Sequence, residues 1–240
     1  MTTSPAKRHI ERVRAAKAAA SVAPGQSLRG ASHYELMLVK LDTDKRRLKS
    51  IQSVARKIEV KREVLPEYDA YVKGALEGGR GGQDDVLMTL MIWRVDAGDY
   101  AGALDIARYA LHHRLTLPDQ YERSTAAAIA EEFADAALSA VKTGAPVDGA
   151  QLVEIEQLTA STDMHDQIRA KLHKAIGLAY APADVLAGGP AIGIDRGWTE
   201  FALKNLRLAL QYDAAAGVKT NIARLEKALS DAGGPKADRK

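Results

Sequence analysis

The chain has 240 residues, of which 46% are hydrophobic, 27% charged and 5% aromatic, with no cysteine and a net charge of +3. That length suits one large domain or two small ones. The composition excludes disulfides, thiolate chemistry and cysteine-ligated zinc, and no apolar run approaches the roughly 20 residues of a membrane span. Charge is divided unevenly. Residues 1–64 hold 15 Lys/Arg against 6 Asp/Glu, a net +9, and residues 65–240 hold 19 against 25, a net −6. A basic segment on an acidic body points to a polyanion as partner. Alanine dominates the apolar residues and favours closely packed helices, so an all-α fold is expected.

Residues 1–30 read as a flexible basic arm with transient helicity over Pro5–Ala20. Lys7, Arg8, Arg12, Arg14 and Lys17 stand among alanines, with too little apolar content to fold alone. Such an arm serves either phosphate binding or solubility, and phosphate binding is the expectation here. No signal-peptide core opens the chain.

Residues 31–65 hold no proline and are predicted as one long basic, coiled-coil-like helix. One apolar column is Tyr34, Leu41, Leu48 and Ala55. Another is Met37, Ile51, Ile58 and Leu65, interrupted by Asp44. Such a seam needs a partner. A homo-oligomer seated on Leu41, Leu48, Ile51 and Ile58 is expected, with packing on 68–76 of the same chain as the alternative. Lys45, Arg46, Arg47 and Lys49 lie off the seam as a second zone for contact with a polyanion, or as a solvated basic face.

Residues 66–145 are predicted as a helical hairpin core. Pro66 suits a helix start. Tyr68, Tyr71, Val72, Ala75 and Leu76 repeat at helical spacing, and Gly78-Gly79 stop the pattern. Gly78-Gly79-Arg80-Gly81-Gly82 lacks the Gly-Lys-Ser/Thr of a phosphate loop and reads as a turn. Gln83–Ala97 is apolar nearly all round, hence buried. Gly98 ends it and Asp99 caps a partner helix carrying Tyr100, Ala103, Leu104, Ala107 and Leu111. His112-His113 sit at that helix's end and diverge too far for a metal site. A loop over Leu115–Tyr121 precedes a helix with Ile129, Phe133 and Val141.

Residues 146–232 form a C-terminal helical region. Asp148 with Gln151 suggests a capping box. Asp163 precedes a helix carrying Ile168, Leu172 and Ile176, with His173 at its core edge. Residues 182–197 are a Gly/Pro-rich loop, two further helices follow, and residues 233–240 are a polar tail. Ala103, Leu104, Ala110 and Leu111 recur 99 positions later as Ala202, Leu203, Ala209 and Leu210, a loose tetratricopeptide-like echo that generic Ala/Leu packing also explains.

The run Gly81–Leu111, the opening Ser4–His9, the Tyr34–Leu41 stretch, Arg169-Ala170-Lys171-Leu172-His173-Lys174 and Gly217-Val218-Lys219 resemble, in collinear order, the terminase small subunits of temperate contractile-tailed phages. Members are sometimes labelled the endonuclease subunit. The resemblance weakens over 180–197. It implies a subunit that multimerises, binds double-stranded phage DNA near the packaging start site, and recruits and regulates a large subunit bearing the ATPase and nuclease, in the host cytoplasm.

Catalysis by the isolated subunit is not expected. No Walker lysine follows a glycine-rich loop, and no acidic trio has telling spacing. No cofactor or metal is expected. Asp84 and Asp85 read as first-turn carboxylates of a helix. The alternatives are a metal-dependent DNA endonuclease using Asp84 and Asp85 and a helical adaptor that binds protein alone.

Overall fold

The computed structural model describes residues 4–30, 32–118 and 124–233. The fold is all-α. Among the described residues, the β content is one isolated parallel bridge, Ser27 to Gln83. The chain divides into two compact units, Met1–Ile129 and Ala130–Lys240.

The first unit is built around α5 (Asp85–Ala97), which is buried almost all round, with Val86, Leu87, Met88 and Leu90 wholly covered. Its wrapping helices are α2 (Ser32–Lys49), α3 (Val54–Val64) and α6 (Tyr100–His112). Asp84 caps α5 through the Leu87 N–H at 2.8 Å. Gly98 takes φ +84°, a left-handed end that glycine adopts without a side-chain clash. Asp99 then caps α6 through the Gly102 N–H at 3.0 Å. The hairpin expected from the sequence is present. The second copy of the echo lies on the helix Arg196–Tyr212, which packs mainly on the helix Asp166–Tyr180.

The long helix expected over 31–65 is broken. α2 ends at Lys49, where the Ser50 hydroxyl donates to the Arg47 carbonyl at 2.8 Å, and Ser53 caps α3 through the Arg56 N–H at 3.3 Å. Serines that bond their own backbone compete with helix continuation. The chain folds back far enough for Arg47 to make a two-point contact with Glu63, at 3.1 and 2.7 Å. A continuous helix would hold those residues about 24 Å apart. The seam therefore stops. Tyr34, Leu41 and Leu48 are buried in this chain, but Ala55 is exposed, Ile51 and Ile58 are half-buried, and Val60 and Val64 supply the buried face of α3. Asp44, which interrupts the seam, is satisfied by the Tyr68 hydroxyl at 2.6 Å and Lys40 at 2.8 Å. Tyr68 itself belongs to a 3-10 turn, Leu65–Tyr68, that joins α3 to α4 (Asp69–Gly78), so Pro66 opens a turn rather than a separate α-helix.

Residues 4–30 also depart from the expected free arm. Pro5–Ala20 is a helix, α1, packed along α4. The contact is made of small residues. A Cβ on Gly74 would lie 2.2 Å from the Arg12 carbonyl oxygen, and one on Gly78 would lie 2.5 Å from that of Ala16. Ala15 and Ala19 are buried there. Few apolar atoms are needed when backbones approach this closely, which is why composition alone suggested disorder. The chain after α1 is fixed by backbone bonds from Gly25 N–H to Gly81 and from Gln83 N–H to Gln26, at 2.8 and 2.7 Å. The glycine-rich run is thus a junction, with the Gly81 N–H also bonded to the Tyr109 hydroxyl at 2.9 Å.

α7 (Thr125–Thr143) leads from the first unit into the second. The second unit contains α8 (Gly149–Thr159), α9 (Asp166–Tyr180), the short turn α10 (Ala183–Leu186), α11 (Arg196–Tyr212) and α12 (Lys219–Gly233). Ala202, Leu206, Val218 and Leu225 are wholly buried in its core. Cations secure its helix ends and loops. Arg169 donates to the carbonyls of Thr159, Ala160 and Thr162 at 2.7, 3.1 and 2.7 Å, and Lys174 donates to that of Ala216 at 2.7 Å. Arg224 donates to the Leu186 carbonyl, fixing the segment expected as a loop over 182–197. Part of the loop expected over Leu115–Tyr121, and the tail from residue 234, lie outside the described residues.

Candidate nucleic-acid interface

The basic residues singled out from the sequence are set on two helices, α1 and α2. Ser4 caps α1 by accepting from the Lys7 N–H at 3.3 Å, and Pro5 fixes its first turn. With 3.6 residues per turn, Ala15 and Ala19 face α4 while Lys7, Ile10, Arg14 and Lys17 fall along the opposite ridge, with Val13 beside it. The exposures agree. The two alanines are buried, whereas Lys7, Ile10, Val13, Arg14 and Lys17 are exposed. Lys7, Arg8, Arg14 and Lys17 form no ion pair with any described residue. Arg12 faces the body and reaches Glu77 at 3.7 Å. Arg8, His9 and Arg12 also line a groove of about 360 Å³ with Asp69 and Lys73 of α4. Lys73 adds a cation that the sequence pattern did not mark, since it lies on a helix legible only by its apolar spacing.

The second zone is partly consumed inside the chain. Arg47 is held by Glu63, which keeps that carboxyl below the usual range, chiefly through their hydrogen bond. Arg46 donates to the Asp42 carbonyl and the Thr43 hydroxyl of its own helix, at 3.3 and 3.4 Å. Lys45 and Lys49 have no ion pair among the described residues. Basic side chains in the last turn of α2 also complement its dipole, so part of this zone has a structural reason to exist. Other cations of 31–65 are likewise engaged: Lys40 with Asp44 and Glu67, Arg56 with Glu59, Lys61 with Asp96, and Arg62 with the Ala97 carbonyl. Of the two zones, α1 offers more uncommitted positive charge.

The residues expected to seat an oligomer divide similarly. Leu41 and Leu48 are covered within the chain, and Ile51 and Ile58 are half-buried. The outward face of α2 instead shows Leu36 and Val39, 61% and 65% exposed. The seam pattern missed them because they lie between its columns.

Asp84 and Asp85 are separated by their surroundings. Asp84 is buried, accepts from the Leu87 N–H and takes a 2.6 Å hydrogen bond from the Tyr71 hydroxyl. Burial pushes its carboxyl up to about 6, against the opposing effect of those two bonds. Asp85 is more open, with the Gln83 amide at 3.1 Å and Arg29 at 3.8 Å. Among the described residues, no three His, Asp or Glu side chains are placed together to hold a metal ion. Asp84 is a helix cap, and the sequence placed it correctly at a helix start but did not reveal its burial. His112 and His113 pack ring against ring at 4.7 Å, and burial and the neighbouring His112 keep His113 below the usual histidine range.

Comparison with known proteins adds an independent line. A family model described as phage small terminase subunit matches residues 38–167. The chain is 48% identical over 227 residues to a protein named terminase, endonuclease subunit, from Escherichia phage P2, a match that covers 95% of this chain and 86% of that protein. It is 24% identical over 195 residues to a probable terminase, endonuclease subunit, from Haemophilus phage HP1 (strain HP1c1), covering 80% and 68%. No solved structure matches. No helix among the described residues is long and apolar enough to cross a membrane.

Proposed function

The chain belongs to the phage small terminase subunit family, and from that premise we propose that it binds double-stranded phage DNA near the packaging start site and recruits the large subunit that carries the ATPase and nuclease. The observation that carries this reading is the outward ridge of α1, where Lys7, Arg14 and Lys17 face away from the body without ion pairs among the described residues. Cations so placed contact phosphates, which position a duplex without reading its bases. Lys45, Arg46 and Lys49 serve as a weaker second zone. Copies of the chain self-associate through the outward face of α2 at Leu36 and Val39, with the half-buried Ile51 and Ile58 contributing at the rim.

The test is a salt titration of duplex binding by the full-length protein and by Lys7→Gln/Arg14→Gln/Lys17→Gln. Each phosphate contact releases counterions, so log K should fall with log salt by about 0.9 per contact, and the triple variant should lose roughly 2.7 from the slope. A wild type without salt-dependent duplex binding would defeat the reading and favour a protein-binding adaptor. These substitutions are better suited than deletion of 1–20, which would uncover Gly74 and Gly78 on α4.

The names of the two relatives support a second reading, in which DNA cleavage chemistry resides in this chain at Asp84 and Asp85. Metal catalysis needs carboxylates open to a hydrated cation. Asp84 is committed to Leu87 and Tyr71, so we place the cleavage chemistry in the large subunit. Mg²⁺-dependent cleavage by the purified chain that is lost in Asp84→Asn/Asp85→Asn would reverse that assignment.

A further inference from the structure

We infer that the first three turns of α1 are a recognition helix that enters the major groove of duplex DNA, with Ile10 and Val13 touching base edges and Lys7, Arg14 and Lys17 holding the flanking phosphates. This rests on the proposed DNA-binding function and assigns its reading element.

Four observations carry it. The first is projection. Every residue from Ser4 to Ile10 is exposed, whereas burial on α1 begins further along, at Ala15 and Ala19. Gly74 and Gly78 lock α1 from Arg12 to Ala16, and Arg8 and His9 line a groove against Asp69 and Lys73 of α4, so what stays uncovered over the first turns is the opposite ridge. The second is fit. An α-helix with side chains is about 10–12 Å across, and the major groove is about 12 Å wide. The third is polarity. The end that projects is the helix N-terminus, whose partial positive charge suits a polyanion, and recognition helices present their N-terminal residues to base edges. The fourth is the character of the ridge. Ile10 and Val13 are 48% and 50% exposed between unpaired cations. A face that served solubility alone would need no large apolar side chains there. Thymine offers a C5-methyl group in the major groove that apolar side chains contact, and the surrounding cations match the two phosphate walls. Charge complementarity thus names the occupant of an otherwise unpartnered apolar strip.

The experiment starts by selecting preferred duplexes from a randomised library with the full-length protein. Binding is then measured to the selected duplex and to its counterpart with uracil in place of thymine, for wild type and Ile10→Ala/Val13→Ala. Wild type should lose at least about fivefold in affinity when the methyl groups are removed. The double variant should show no selected preference and no response to the methyls, yet keep the wild-type salt slope on random duplex, because its phosphate contacts remain. Its circular dichroism and solution mass should equal those of wild type, since both side chains are exposed. A wild type that binds duplex without preference or methyl sensitivity, or a variant that keeps the wild-type preference, would overturn the recognition helix while leaving the proposed function standing. A variant of reduced mass would make this face a contact between copies and overturn it as well. A wild type that binds no duplex at all overturns both.

Discussion

At the scale of single residues, the motifs carried by the family resemblance turn out to be largely structural. In Arg169-Ala170-Lys171-Leu172-His173-Lys174, Arg169 and Lys174 hold carbonyls, Lys171 pairs with Glu131 and Asp135, and His173 meets Asn205 at 3.0 Å. Ala170 and Leu172 are core. Polar residues that look functional in a sequence are here satisfying buried backbone, and no spacing rule announces the carbonyl that a cation will meet. Asp84 gives the sharpest prediction. Its carboxyl is raised to about 6 by burial from an unfolded value near 3.8. The fold therefore favours the protonated form, and the associated stability is full below pH 4 and lost as pH rises through 6, by roughly 3 kcal/mol. Asn at this position can still accept from Leu87 N–H and cap α5. In urea unfolding, the stability of Asp84→Asn relative to wild type should rise by about that amount between pH 4 and pH 7. His33 and His113, both held below the usual histidine range by burial, titrate in both proteins and cancel in the difference. A difference that does not change with pH would show that Asp84 is more solvated than its surroundings imply.

At the scale of elements, the helices on either side of Gly98 were legible because each signal was local: an apolar run, a glycine end, an aspartate cap. The break after α2 was not, since it needs neither glycine nor proline. It rests on Ser50 and Ser53 and is stabilised by partners 16 positions apart, Arg47 and Glu63. Ser53→Ala should cost about 1 kcal/mol through the lost cap, read by thermal unfolding. The helicity of Pro5–Ala20 was legible too, but the docking of α1 on α4 was not, for a different reason. Its docking surface is backbone and Ala on one side and Gly74 and Gly78 on the other, which no apolar stripe reports. That contact predicts a sign. Gly74 lies inside α4, so Gly74→Ala would stabilise a free α4 by up to about 1 kcal/mol through helix propensity. With α1 in place, the added methyl meets the Arg12 carbonyl and should destabilise by about 1–3 kcal/mol through overpacking. Chemical denaturation of the two proteins reads the sign directly, and stabilisation would mean that α1 does not sit on α4 in solution.

Across the whole molecule, one unit joins net positive charge to exposed apolar side chains. The +9 of residues 1–64 and the exposed Ile10, Val13, Leu36, Val39 and Val54 all fall within the first unit. The sequence showed the charge division clearly. A heptad seam cannot distinguish packing within a chain from packing between copies, and Leu41 and Leu48 are buried within this one. Leu48, buried at 7% exposure, should now unfold the protein when changed to Asp, whereas Leu36→Asp with Val39→Asp alters two exposed positions and should leave the fold intact. If copies associate through those two residues, the double variant should fall to monomer mass in sedimentation while keeping wild-type helicity. The same variant reports on DNA. In one chain, Lys7, Arg8, Arg14 and Lys17 of α1 contribute roughly 3.6 to the salt slope if all four reach phosphates, and the second zone adds to that single-chain slope. An assembly that brings several copies of α1 to one duplex must exceed that slope, and linkage between them raises the apparent affinity beyond that of any single α1. The double variant should therefore lose both affinity and slope, returning to the single-chain slope, although neither Leu36 nor Val39 carries charge. Unchanged mass with intact helicity would remove the outward face of α2 as the seat. Monomer mass with an unchanged slope would mean that a single copy of α1 holds each duplex, and that assembly serves the large subunit instead of DNA.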